Sequence, residues 1–176
     1  MKSSRITYVF MAILAGMFLF VFSGCSVGLP DTGTPVSTAG QKLKVYFLDV
    51  GQGASQLLVT PSGKTMLIDA GNNDKEQVML DYMKQYHISK LDVVIGTHPD
   101  ADHIGGLDKV IDQIPVETIY MPKVQSNTKT FESVLKSIKN KGLKVKTAKA
   151  GLSWDLDDEV HVDMLARPAA MTIPTT

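Results

Sequence analysis

The stretch LDVVIGTHPDADHIGG, residues 91–106, constrains the fold of this chain more than any other. Its first half runs without polar alternation through Val93, Val94 and Ile95 into Gly96, the pattern of a strand buried on both faces. Two histidines and two aspartates then fall within six residues, His98 to His103, ahead of Gly105 and Gly106. Beyond them Ile104, Leu107, Val110 and Ile111 recur at helical spacing. A buried strand that opens into a polar loop and passes at once into a helix is a unit of an α/β sheet. It sets the loop at the carboxyl end of the strand, where functional side chains collect.

Neighbouring segments fit the same plan. KVYFLDV and SQLLVT are β-branched and aromatic runs joined by GQGA, and TMLIDAG follows the turn signal PSG, so a three-stranded meander is expected. Met79, Tyr82, Met83 and Tyr86 mark the apolar face of a helix. ETIYMP reads as a short strand. Phe131, Val134, Leu135 and Ile138 mark another helix, stopped by Gly142. LKVKTA and EVHVDML read as two closing strands. Strands first, then strand–helix alternation, argue a mixed sheet with helices on one face. Nothing in the pattern supplies a second layer for the other face. The side chains of VVI and YFL are therefore expected to stand open there, as in one half of a sandwich.

The chain has 176 residues, formal charge zero and a single cysteine. That is enough for one modest domain, gives no general pull toward nucleic acid, and excludes an internal disulfide framework. Residues 1–25 have the layout of an export signal: Lys2 and Arg5, an apolar run from Tyr8 to Phe22, and no acid before Asp31. The run is short for a membrane span, which takes about 20 residues. FSGC, Phe22 to Cys25, resembles a bacterial lipobox. That resemblance implies lipidation of Cys25 and a domain held outside the cytoplasmic membrane. An uncleaved signal anchor is the alternative, and it gives the same location. Residues 26–41 read as a flexible linker, 42–168 as the folded domain and 169–176 as an irregular tail.

His98, Asp100, Asp102 and His103 have the spacing H-x-D-x-D-H. Imidazole and carboxylate are the ligands of zinc, manganese and iron sites. Residues 98, 100 and 102 of an extended loop would point the same way, with His103 arriving from the start of the helix. Each residue also has a plain structural role open to it: Asp102 as a helix cap, Asp100 after Pro99 as a turn residue, His98 as a core histidine. Four such residues together favour metal. His161, between Val160 and Val162, reads as a strand residue. His87 reads as a helix-end residue.

Together with FLDVGQGAS, MLIDAG and THPDADHIGG, this spacing resembles the metallo-β-lactamase superfamily, and within it the hydrolase domain of ComEC-type competence proteins. The usual family motif is H-x-H-x-D-H, with Asp100 here at the second histidine. Ala54 stands where relatives often carry an acid. The resemblance runs from about Lys44 to Pro168 and implies an αββα sandwich, of which this chain carries about the first βα half. It implies two divalent metal ions, zinc or manganese. His98 and Asp100 would bind one, and Asp102 and His103 the other. Asp102 also takes a catalytic part, and Asp69 supports the metal loop without ligating. The ions would share a water made acidic enough to ionise near neutral pH. The family's later ligands have no counterpart here. A truncated product and a half fold completed by another chain both remain open, and weak metal binding with poor turnover is expected.

Substrate is the least specified property. The resemblance implies phosphodiesters, with DNA as a partner. Lys123 to Lys149 holds eight lysines against one acid, Glu132. A phosphate-binding face needs such a balance, but it also describes a solvated helix face, which is the preferred reading because aromatic interleaving is absent. A small-ester or lactone hydrolase of the same fold, and a non-catalytic lipoprotein remnant, are the alternatives.

Overall fold

The computed structural model describes residues 42–165. The export signal, Cys25 and the whole linker before this span, and the tail after it, lie outside the described residues. Strands β1 (Lys44–Phe47), β2 (Gln56–Val59) and β3 (Thr65–Ile68) form the expected antiparallel meander. A 3-10 turn, Asn73–Lys75, leads into α1 (Glu76–Gln85). Then come β4 (Leu91–Ile95), the short α2 (Ala101–Ile104), α3 (Leu107–Gln113), β5 (Val116–Met121), α4 (Lys129–Asn140) and β6 (Val145–Thr147). The last two strands are β7 (Leu152–Asp155) and β8 (His161–Met164).

Six strands make one sheet, in the order of the chain from β1 to β6. The strands from β3 onward run parallel to their neighbours. Register sorts the side chains by face. Leu67 sits opposite Val94 and Val94 opposite Ile119, and all three are fully buried on the side covered by the helices. Met79 and Met83 of α1, Val110 and Ile111 of α3, and Val134 and Ile138 of α4 fill the same core. The helix expected around Ile104–Ile111 is two helices, divided at Gly105 and Gly106. A Cβ on Gly105 would collide with the backbone of Asn73, and one on Gly106 would lie 2.5 Å from the Ala70 carbonyl. The chain turns there because two backbones touch.

The second face departs from expectation. β7 and β8 form an antiparallel hairpin of their own, lying over β3, β4 and β5. Met66, Val93, Ile95, Tyr120 and Leu156 are buried between the layers. Each such side chain contributes about 1.5–3 kcal/mol. Trp154 stacks on Tyr120 with ring centroids 4.9 Å apart. At the far end the Ser62 hydroxyl donates to Asp157 Oδ2 at 2.6 Å. That bond is the main reason the Asp157 carboxyl lies well below the usual carboxylate range. The VVI side chains are therefore covered. What stays open is β1, where Val45 is 45% and Phe47 82% exposed. EVHVDML thus lies outside the main sheet, and LSWD, with Leu152 and Trp154 as its two large apolar residues, is its partner.

One acid sits inside β4. Asp92 accepts from the Thr65 N–H at 2.9 Å and pairs with Lys64 and Lys90 at 3.1 and 3.0 Å. Burial opposes its charge, but these donors outweigh burial and bring the carboxyl down to about 2.

Candidate metal centre

The centre is built at the carboxyl ends of β3 and β4. Asp69 follows β3 with a left-handed backbone, φ 58. Its N–H bonds the Ile95 carbonyl at 2.9 Å, which ties it to the end of β4. Its buried carboxylate accepts from the Thr97 N–H at 2.8 Å and from the Thr97 hydroxyl at 2.6 Å. The same Oδ2 lies 2.7 Å from His103 Nδ1. Thr97 Oγ1 is also 3.1 Å from His98 Nδ1 and 3.2 Å from His103 Nδ1. One proton arrangement satisfies this network. Thr97 gives its hydroxyl proton to Asp69, His103 gives its Nδ1 proton to Asp69, and His98 gives its Nδ1 proton to Thr97. Both Nε2 atoms then keep their lone pairs.

His98, Asp102 and His103 each offer a ligand atom within 4.8 Å of the others. His103 Nε2 lies 3.9 Å from Asp102 Oδ2, and the two imidazoles are 3.7 Å apart between centroids. Asp100 stands beside this trio rather than in it. Its Oδ2 is 3.5 Å from His98 Nε2, and its side chain is mostly exposed. Helix α2 begins at Ala101, so the extended alternation expected through residue 102 stops at Asp100. Asp102 lies within the helix rather than capping it. Asp100 occupies the cap position and makes no side-chain cap bond.

The trio fits a divalent ion in kind and number. Two imidazoles and a carboxylate are a common catalytic set, and a carboxylate behind a ligating histidine fixes ring and tautomer. Three donors suffice for one ion that keeps an open position. Among the described residues the convergent group stops there.

Sequence reasoning missed three supports. The GQGA loop between β1 and β2 touches the metal loop: Ala54 N–H bonds the Asp102 carbonyl at 3.0 Å, and a Cβ on Gly53 would lie 2.5 Å from that oxygen. Ala70 N–H bonds the His103 carbonyl at 2.7 Å. Thr97 joins Asp69 to both histidines. Gly53 of GQGA was a usable signal, since it marks backbone meeting backbone. His161 lies on β8 with Nδ1 2.6 Å from Asp155 Oδ1, a contact that raises its pKa.

A carboxylate-anchored His/Asp cluster on the loop after a parallel strand is a candidate metal centre in an α/β domain, and the chain belongs to the metallo-beta-lactamase superfamily, whose family model matches residues 48–175. Members of that superfamily bind divalent metals. Among characterised relatives the chain is similar to ComE operon protein 3 of Bacillus subtilis, 27% identical over 137 residues, 68% of this chain and 18% of that protein. This agrees with the ComEC-type resemblance. It is also 33% identical over 86 residues to a Porphyromonas gingivalis protein named octanoyltransferase, covering 49% of this chain and 16% of the other. The chain thus spans less than a fifth of either relative's length. Among solved structures, a Cronobacter sakazakii metallo-beta-lactamase with a HARLDQ motif aligns with TM-score 0.40 and 20% identity, over 45% of this chain and 30% of the other.

Proposed function

We propose that this chain carries a metal-dependent phosphodiester hydrolase site, acting on DNA outside the cytoplasmic membrane, to which Cys25 anchors it. The observation that carries the reading is the convergence of His98, Asp102 and His103 over a buried Asp69. The chemistry supplied on binding a divalent ion is Lewis acidity at the scissile group and a water acidic enough to ionise near neutral pH. The remaining work belongs to the chain. Asp69 and Thr97 hold the imidazoles with Nε2 outward. Asp102, partly exposed beside His103, takes a proton from the attacking water. Support for DNA comes from the resemblance to ComEC-type competence domains. Support for location comes from Lys2, Arg5, the apolar run and Phe22–Cys25. Among the described residues no helix is long and apolar enough to cross a membrane, so anchoring rests on the N-terminal segment.

The test is elemental analysis of the purified full chain, then cleavage of single-stranded DNA with added manganese or zinc. Stoichiometric metal in the wild type, lost in the Asp102→Ala/His103→Ala double variant, is expected. Turnover should be slow, because the convergent trio holds one ion where the resemblance implies two. Equal metal in both proteins would refute the site. For the anchor, Cys25→Ala should release the protein from membranes or leave it unprocessed; unchanged mass and fractionation would refute lipidation.

A further inference from the structure

Between the main sheet and the β7–β8 hairpin lies a cavity of about 270 Å³, near the lower end of the range for small-molecule sites. Met66, Ile68 and Ile95 form its sheet wall, and Trp154, Val162 and Met164 its hairpin wall, with Asp163 the one charged residue in the lining. Thr97 lines it too, and Thr97 is the residue whose hydroxyl reaches Asp69, His98 and His103. The cavity therefore adjoins the metal loop through a shared side chain. On its other side it is bounded by Pro122 and Ala148, which the exposed Lys123 and Lys149 follow directly in the chain. Lys146 lies over the ring of Tyr120, 5.4 Å from its centroid, and Tyr120 is the ring stacked under Trp154. The indole Nε1 of Trp154 is buried without a hydrogen-bond partner among the described residues.

This juxtaposition has a chemical meaning. Strands β4, β5 and β6 are parallel, so their carboxyl ends lie in a row, about 4.8 Å from strand to strand. The His/Asp cluster lies past the ends of β3 and β4, the apolar cavity runs under the hairpin from those strands to Pro122 and Ala148, and lysines follow these two residues. A ligand that satisfies all three has a hydrolysable anionic group, a flat and weakly polar body beside it, and further negative charge beyond. Alkyl esters lack the charge, and inorganic polyphosphate lacks the body. We propose that the cavity is the subsite for one nucleobase adjoining the scissile phosphate, with Lys123, Lys146 and Lys149 facing the phosphates that follow. This rests on the phosphodiester reading above and narrows it. A base must leave its stack to enter the cavity, so the substrate is an unpaired strand and duplex is rejected. The walls offer contact surface and few hydrogen-bonding groups, so base identity matters little. Among the lysines read from sequence as a solvated face, Lys146 has an aromatic neighbour, Tyr120 of β5.

Trp154 is the single tryptophan of the chain, so its fluorescence reports on the cavity alone. The experiment titrates the full chain, in chelator and without metal, with a five-residue oligothymidylate. Parallel titrations use the same strand with abasic sites, a duplex of the same length, inorganic polyphosphate, and hexanoate. The oligothymidylate should change Trp154 emission saturably, and the abasic strand and the duplex should bind about 10-fold more weakly or worse. Polyphosphate should leave the emission unchanged, and hexanoate should bind no better than the abasic strand. Met164→Phe and Ile68→Phe, which fill the cavity, should each weaken the oligonucleotide about 10-fold while leaving polyphosphate binding intact; whichever variant melts as the wild type does is the one used. Equal affinity for the intact and abasic strands, or no change in emission, would overturn the inference. Preference for hexanoate would assign the cavity to an acyl group instead. The phosphodiesterase reading fails separately, if no metal restores cleavage although the oligonucleotide still occupies the cavity.

Discussion

Asp69 offers the sharpest test of how this centre is held. Its carboxylate accepts three hydrogen bonds, from the Thr97 amide, the Thr97 hydroxyl and His103 Nδ1. Its backbone is left-handed, φ 58. Asp69→Ala removes all three bonds and puts alanine on that left-handed backbone. The left-handed backbone costs about 1–2 kcal/mol for a residue without a short polar side chain. Each lost bond costs about 1 kcal/mol, since Thr97 is exposed enough for water to replace part of it. The sum is about 4 kcal/mol. Asp69→Asn tolerates the backbone and still accepts from the Thr97 amide, so it should cost only about 1–2 kcal/mol. Its effect on metal should nonetheless be large. The amide nitrogen now facing His103 donates to Nδ1, which moves the ring proton to Nε2, the atom turned toward Asp102. Metal affinity should fall about 10- to 100-fold. Urea denaturation of the metal-free full chain measures the first effect, and calorimetric titration with manganese and zinc the second. An Asn variant that binds metal as tightly as the wild type would refute the tautomer argument. An Ala variant within about 1 kcal/mol of the wild type would refute the stability argument.

Three further outcomes follow from the same coordinates. Gly105→Ala should destabilise by about 3 kcal/mol or prevent folding, because the new methyl meets backbone on two sides, whereas Gly63→Ala, with open space around it, should cost only the left-handed backbone, about 1–2 kcal/mol; denaturation midpoints compare them. Asp92 should supply about 2 kcal/mol of pH-dependent stability, because its carboxyl falls to about 2 on folding: the contribution is fully present above about pH 4 and is lost as pH falls toward 2, so Asp92→Asn should flatten the acid limb of a stability–pH curve. Ser62→Ala removes the bond to Asp157 at the far end of the hairpin, and amide hydrogen exchange should speed up across β7 and β8 and not across β4.

Much of the main sheet was legible because its strands carry their own periodicity. Leu67, Val94 and Ile119 sit in runs that cannot be solvated on the helix side, and α4 shows its buried stripe from Phe131 to Ile138. The hairpin was not legible. β7 offers Leu152 and Trp154 among Ser153 and Asp155, and its reason to pair lies in Tyr120, more than thirty residues earlier. The metal loop announced its residue types but not its geometry. Helix α2 starts early enough to bring Asp102 alongside His103 and to leave Asp100 aside, and helix starts are poorly fixed by local sequence. Thr97 carried no signal in the sequence, although its hydroxyl joins Asp69 to both histidines.

The sheet grows in the order in which its strands are synthesised. Every strand from β2 to β6 pairs with the one made just before it, so no early strand waits for a late one. Each parallel closure spans only the helices between two neighbouring strands, so the search for partners stays between neighbours in the chain. By the time His98 leaves the ribosome, the GQGA loop and Asp69 already exist to receive it. The hairpin comes last and closes over a finished surface. Until then Met66, Val93 and Ile95 face water on a nascent sheet with a bare β1 edge. That interval is when such a chain is most exposed to aggregation, and when a chaperone or translocation partner would find the most apolar surface to hold.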